Sequence, residues 1–155
     1  MINPKIAANI LILFIFFFSS LTFSPSSFSA LIDSKQQGNL VYFLFSNPNK
    51  LLRYDLTSSS FLEEISLDKA PTAFNPTEQY IYIGYNRELR RLSREGDSNI
   101  LVRNFSSDIL HLTYVNSFIQ VIEESNTMSS INSSDFSIRY TDHIYSVQSI
   151  LGSNS

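Results

Sequence analysis

The hydrophobic and polar positions divide this chain into two unlike parts. Before Ser29 the apolar residues are fused into one block. A polar head, Met1-Ile2-Asn3-Pro4-Lys5, leads into an unbroken apolar run over residues 10–18, and a Ser- and Pro-rich stretch follows. From Asn39 onward, short runs of Tyr, Phe, Ile, Val and Leu alternate with polar punctuation. Residues 40–45 end at Ser46-Asn47-Pro48-Asn49, residues 51–56 at Thr57-Ser58-Ser59-Ser60, and residues 61–67 at Asp68-Lys69. Residues 70–74 run into a turn at 75–79, and an apolar run resumes at 80–85. Aromatic and β-branched runs at spacings of roughly 8–12 residues predict the strands of an all-β fold. No stretch after Ser29 sustains a helical period over about ten residues.

The runs repeat. Val41-Tyr42-Phe43 falls on Ile81-Tyr82-Ile83 at an offset of 40. Residues 70–74 fall on 108–112, and residues 80–83 on 118–121, both at an offset of 38. Leu52-Arg53 falls on Leu89-Arg90 at 37, and a weaker third copy runs through residues 136–147. About four short strands per unit of about 40 residues is the period of a β-propeller blade. The fold expected is therefore all-β, with about three propeller-like blades of four antiparallel strands behind an N-terminal apolar signal helix. The expected limits are a signal peptide at 1–29, a linker at 30–38, blades at about 39–79, 80–117 and 118–152, and a tail at 153–155. Val41, Phe43, Ile81, Ile83, Ile119 and Val121 take equivalent places and are expected to bury together in inner strands.

Ala73-Phe74-Asn75-Pro76-Thr77-Glu78-Gln79-Tyr80-Ile81-Tyr82-Ile83 resembles the strand–turn–strand unit of YVTN-type and WD40-like propellers. Leu52-Arg53-Tyr54-Asp55-Leu56 resembles the third strand of such a blade. The motifs are loose, since the chain has no Trp for a WD dipeptide. Closed propellers typically have at least about four blades. Three explanations of the count stand side by side: a fragment or truncated copy of a longer propeller, a ring completed by another chain, or a self-contained sheet or sandwich.

The N-terminal block has the head, apolar run and small-residue end of a secretory signal peptide. Its apolar run is shorter than the roughly 20 residues that span a bilayer. Cleavage after Ser29 places small residues at Ser27 and Ser29 and leaves Ala30 as the mature N-terminus. An uncleaved membrane anchor is the alternative. The expected destination is the periplasm or the exterior. The absence of cysteine excludes lipoprotein processing, disulfides and thiolate chemistry.

Composition adds little chemistry. In 155 residues, only 16% are charged and the formal net charge is −3, which gives no electrostatic reason to expect a nucleic-acid partner. His111 and His143 are the only histidines. Asp108 and His111, three apart in a strand, face opposite sides, as do the neighbours Glu63-Glu64 and Glu123-Glu124. No Gly-x-Ser-x-Gly elbow exists, and four glycines leave no phosphate-cradling loop. No catalytic, metal-binding or cofactor-binding residue is assigned, and no cofactor is expected. Residues 125–134, rich in Ser and Asn, read as a long loop or degraded strand.

Arg87, Arg90, Arg91, Arg94 and Arg103 form a candidate patch for an anionic ligand or partner. A solvated outer-strand face is the plainer reading, because alternation splits Arg90 from Arg91. The function expected is an exported, non-enzymatic propeller-type binding or scaffold module for a protein or polymer ligand, able to self-associate through open blade faces. The alternative is one piece of an enzymatic propeller, a lactonase-like hydrolase or quinoprotein-like dehydrogenase.

Overall fold

A computed structural model describes residues 29–144 of the chain. The expected signal segment, apart from Ser29, and the stretch from Tyr145 onward lie outside the described residues. Within them are thirteen strands in three antiparallel sheets, and each sheet is a meander in sequence order. Blade 1 contains β1 (Ala30–Gln37), β2 (Leu40–Ser46), β3 (Lys50–Asp55) and a fourth strand broken into β4 (Ser60–Phe61) and β5 (Ile65–Ser66). Blade 2 contains β6 (Ala73–Pro76), β7 (Tyr80–Tyr85), β8 (Glu88–Ser93) and β9 (Asn99–Asn104). Blade 3 contains β10 (Ile109–Val115), β11 (Phe118–Glu123), β12 (Thr127–Asn132) and β13 (Ile138–His143).

The expected blades are present but out of phase by one strand. Each expected limit, at 39, 79/80 and 117/118, falls in the hairpin between the first and second strands of a blade. The second strands carry the strongest apolar runs and so look like beginnings. The expected linker 30–38 is strand β1, whose Asp33, Ser34, Lys35, Gln36 and Gln37 disguise it. The Ser-rich segment 125–134 contains a true strand, β12, with Ser129 and Ile131 buried. The fourth strand of blade 1 is interrupted where a single strand at 61–67 is expected.

Geometry bears out the offsets of 40 and 38 but not that of 37: Arg53, opposite Tyr42, matches Arg91, opposite Tyr82, so Leu52 falls on Arg90 and not on Leu89. β1 and β10 each end in a two-residue hairpin, Gln37 opposite Leu40 and Val115 opposite Phe118. Each also carries a bulge at the matching place, between Leu31 and Asp33 and between Ile109 and His111. At the tip of the second hairpin Asn116 and Ser117 both have positive φ, as a type I′ turn requires.

Every blade then has two distinct faces. One face of blade 2 presents Phe74, Ile81, Ile83 and Leu92, which form one core with Tyr42, Leu44, Leu51 and Ile65 of blade 1. The other presents Ala73, Tyr82 and Leu89, which form a second core with Ile109, Leu112, Ile119, Val121 and Ile131 of blade 3. The first is here termed the leading face and the second the trailing face. Each joint seats the trailing face of one blade on the leading face of the next. Because blade 2 is covered on both sides, five of the six residues of β7 are buried, whereas β2 and β11 alternate.

This order explains one failed expectation. Ile81, Ile83, Ile119 and Val121 are fully buried, but Val41 and Phe43 are only half-buried. All six share the leading face, and among the described residues no blade precedes blade 1. Equivalence holds; burial needs a neighbour.

Glycine and polar groups complete the joints. A Cβ on Gly84 would stand 3.0 Å from Ile109 Cγ2, so the bare backbone lets blade 3 approach. Gly96, with φ +84°, leaves room for Ile65 of blade 1, whose Cγ2 a Cβ would meet at 2.6 Å. Lys35 Nζ donates to the carbonyls of Phe74 (2.6 Å) and Leu112 (2.8 Å), tying the first strands of all three blades. Burial lowers the Lys35 pKa, and the nearby Asp33 carboxylate opposes that shift.

Candidate functional site

Loops and hairpins at one end of blade 2 line an open cleft of about 700 Å³. That volume suits a small molecule, for which pockets of about 300–1,000 Å³ are usual. The connection from blade 1 supplies Lys69, the β7–β8 hairpin supplies Tyr85, Arg87 and Glu88, and the connection to blade 3 supplies Asn104 and Asp108. Backbone bonds fix these segments: Phe105 N–H donates to Arg87 O (2.8 Å), Ile109 N–H to Asn86 O (2.6 Å), and Thr72 N–H to Gly84 O (2.8 Å).

The charges in the cleft are matched. Lys69 Nζ lies 2.8 Å from both Glu88 oxygens, and Arg90 Nε donates to Glu88 Oε2 at 2.9 Å. Arg87 and Asp108 approach to 3.6 Å. Bonds from Lys69 and Arg90 hold the Glu88 carboxyl below the usual carboxylate range. Tyr85 is buried, and among the described residues its hydroxyl has no hydrogen-bond partner. Burial and the nearby Asp68 carboxylate push that hydroxyl well above the usual tyrosine range. The cleft therefore offers fixed donors and acceptors at neutral pH. Among these groups, neither Glu88 nor Tyr85 is poised to exchange a proton there.

A second cleft, about 400 Å³, lies between the β1–β2 hairpin of blade 1 and blade 2, lined by Gln37, Asn39, Asp55, Thr57, Glu78 and Arg94. One of its two acids is occupied locally: Asp55 accepts from Thr57 N–H (2.8 Å) and from the Ser58 hydroxyl (3.1 Å).

The five arginines are distributed, not gathered. Arg87 lines the cleft, and Arg90 pairs with Glu88 on the leading face. Arg91 and Arg103 stand on the trailing face, where the Arg91 guanidinium lies over the rings of Tyr80 (4.2 Å) and Phe136 (5.1 Å). Arg94 sits in the β8–β9 turn and donates to Glu78 O at 3.1 Å. His111 is exposed and 3.1 Å from Thr113 Oγ1, and His143 lies at the far edge of β13. Among the described residues, no group of His, Asp and Glu is arranged to hold a metal ion.

Two roles escape sequence reasoning. Arg53 and Arg91 are equivalent, each opposite a tyrosine (Tyr42, Tyr82) on a trailing face, and each reaches the third turn of the next blade. Arg53 donates to the Arg94 carbonyl, and Arg91 covers Phe136. A repeated Tyr–Arg pair about 40 residues apart is the signal that marks this clasp. Glu123, buried at 3% exposure, accepts through Oε2 from Ser106 N–H (3.2 Å), Ser106 Oγ (2.9 Å), Ser107 N–H (3.0 Å) and Ser107 Oγ (3.3 Å). It staples the connection between blades 2 and 3. Glu124 is exposed.

Comparison with known proteins agrees with this architecture. The computationally designed Ika4 protein is similar over 79% of this chain and 76% of its own, with a TM-score of 0.62 and 12% identity. The computationally designed Ika8 protein is similar over 73% of this chain, with a TM-score of 0.61 and 10% identity, and this chain spans only 36% of its length. At such identities the likeness concerns the fold alone. No curated protein matches in sequence. The family described as 6-bladed beta-propeller matches residues 28–151. With three stacked four-stranded blades across that span, the chain belongs to the 6-bladed beta-propeller family.

Proposed function

We propose that this chain is an exported, non-enzymatic β-propeller-type binding module, and that its ligand enters the cleft at the end of blade 2. The observation that carries the reading is the pairing of the cleft's acids. Glu88 is held by Lys69 and Arg90 and Asp108 by Arg87. These paired charges form a hydrogen-bonding surface for a small polar ligand. General acid–base work needs groups that titrate near the working pH. Export is supported by the N-terminal block and by the first strand starting at Ala30, the residue that cleavage after Ser29 exposes.

The test is a thermal-shift and NMR titration of the purified chain against neutral polyhydroxylated, carboxylate and phosphate compounds, repeated with Lys69→Ala and Arg87→Ala. Saturable shifts centred on Lys69, Arg87 and Glu88, weakened by both substitutions, are expected. Turnover of a lactone panel that requires these residues would replace the reading with the hydrolase alternative. N-terminal sequencing of the exported protein is expected to begin at Ala30; a product beginning at Met1 would favour the anchor.

A further inference from the structure

We infer that the cleft at the end of blade 2 takes a neutral saccharide in preference to a charged ligand; this rests on the binding-cleft reading above and narrows it. Four charged side chains line the cleft, and they balance: Lys69 and Arg87 against Glu88 and Asp108. The charges just outside balance as well, since Arg90 holds Glu88 from the leading face and Asp68 stands near the Tyr85 hydroxyl. An anion entering here meets two carboxylates and has to draw Lys69 or Arg87 away from one of them. A cation meets Lys69 and Arg87 in the same way. A neutral hydroxyl disturbs neither pair.

The pairing leaves free the hydrogen-bonding capacity that a saccharide uses. Arg87 and Asp108 stand 3.6 Å apart, too far for a hydrogen bond between them, and their side chains are 66% and 45% exposed. A guanidinium presents only donors and a carboxylate only acceptors. Side by side, they match two neighbouring hydroxyls of a sugar ring, one accepting from Arg87 and the other donating to Asp108. Asn104, exposed at the end of β9, adds an amide that both donates and accepts. Phe105 supplies an apolar wall for the carbon-bound hydrogens of the same ring. Its N–H is fixed on Arg87 O at 2.8 Å, and its side chain packs partly into the second core. An apolar wall with a few placed polar groups is the usual make-up of a small-molecule site.

The experiment titrates the purified chain, with backbone NMR shifts as the readout. The neutral probes are methyl β-D-glucopyranoside, methyl α-D-mannopyranoside and myo-inositol. The charged probes are acetate, inorganic phosphate and tetramethylammonium at fixed ionic strength. At least one neutral probe is expected to give saturable shifts at Arg87, Glu88, Asn104 and Asp108, with every ion at least about tenfold weaker. Asp108→Asn, verified by circular dichroism to keep its sheets, leaves Arg87 without its carboxylate. It should weaken the neutral probe about tenfold, the worth of one hydrogen bond to a charged group, and tighten phosphate by a similar factor. An ion that binds the natural chain at these residues as tightly as the neutral probes overturns the saccharide assignment and leaves the cleft reading standing. Shifts at these residues from none of the six probes overturn both. Neutral-probe binding undiminished in Asp108→Asn, or phosphate binding no tighter there, also overturns the assignment.

Discussion

Replacing Glu123 with Ala tests how the blades are joined in sequence. The carboxylate oxygen receives two backbone amides and two hydroxyls from Ser106 and Ser107, and the residue is almost fully buried. The hydroxyls can turn to water after truncation, since Ser106 is exposed and Ser107 half-exposed. The two amides cannot move without opening the connection. An unsatisfied buried donor costs about 1–3 kcal/mol, so Glu123→Ala should destabilise the chain by about 2–4 kcal/mol. Glu123→Gln keeps a neutral acceptor of roughly half the strength and should cost about 1–2 kcal/mol. Glu124→Ala, on the exposed neighbour, should stay within about 0.5 kcal/mol. Urea unfolding followed by circular dichroism, at one fixed protein concentration, gives the ordering. Amide exchange at Ser106 and Ser107 should quicken in Glu123→Ala. A Glu123→Ala variant as stable as Glu124→Ala, with those amides still protected, would refute the staple.

Equivalent positions should respond unequally. Ile81→Ala, at a fully covered leading face, should cost about 2–5 kcal/mol, whereas Val41→Ala, at a half-buried position, should cost under about 1 kcal/mol; chemical denaturation compares them. Gly96→Ala combines a left-handed backbone with a clash against Ile65, and should cost about 2–4 kcal/mol by the same assay. The Glu88 pKa is lower folded than unfolded, so its contribution is complete above the unfolded value and drains away as pH falls through the folded one. Melting midpoints from neutral to acid pH should therefore fall less steeply in Glu88→Gln.

The equivalence of strands was legible because Val41-Tyr42-Phe43 and Ile81-Tyr82-Ile83 keep both order and alternation. The phase was not, because the first strand of a blade is the least apolar: Asp33, Lys35 and Gln37 look like a linker until Lys35 is seen bonded across the stack to Phe74 and Leu112. Burial of Val41 is not legible, because a leading face is covered by the preceding blade, which composition does not reveal. The arginine cluster looked like one patch because five residues are close in sequence. Alternation and the β8–β9 turn send Arg90, Arg91 and Arg94 to three different places. Glu123 hid its role because its partners lie 16 and 17 residues away. The cleft was invisible for the same reason, since Lys69, Glu88 and Asp108 meet only after two blades have stacked.

The cleft and the clasps stand on one claim: the trailing face of each blade sits directly on the leading face of the next. Gly84 of β7 and Ile109 of β10 report on it without interference, because the chain contains no cysteine. A Cβ on Gly84 would lie 3.2 Å from the Ile109 Cβ, a few tenths of an ångström inside the roughly 3.5–4.5 Å of a disulfide. The paired substitution Gly84→Cys with Ile109→Cys should therefore oxidise to a cross-link in the folded protein. Gly38→Cys with Ile109→Cys serves as the control, since a Cβ at Gly38 meets nothing within 4 Å. Thiol titration after mild oxidation should find the first pair closed and the control pair free. Two free thiols in the first pair, titrating as in the control, would contradict the stacking of blade 2 on blade 3.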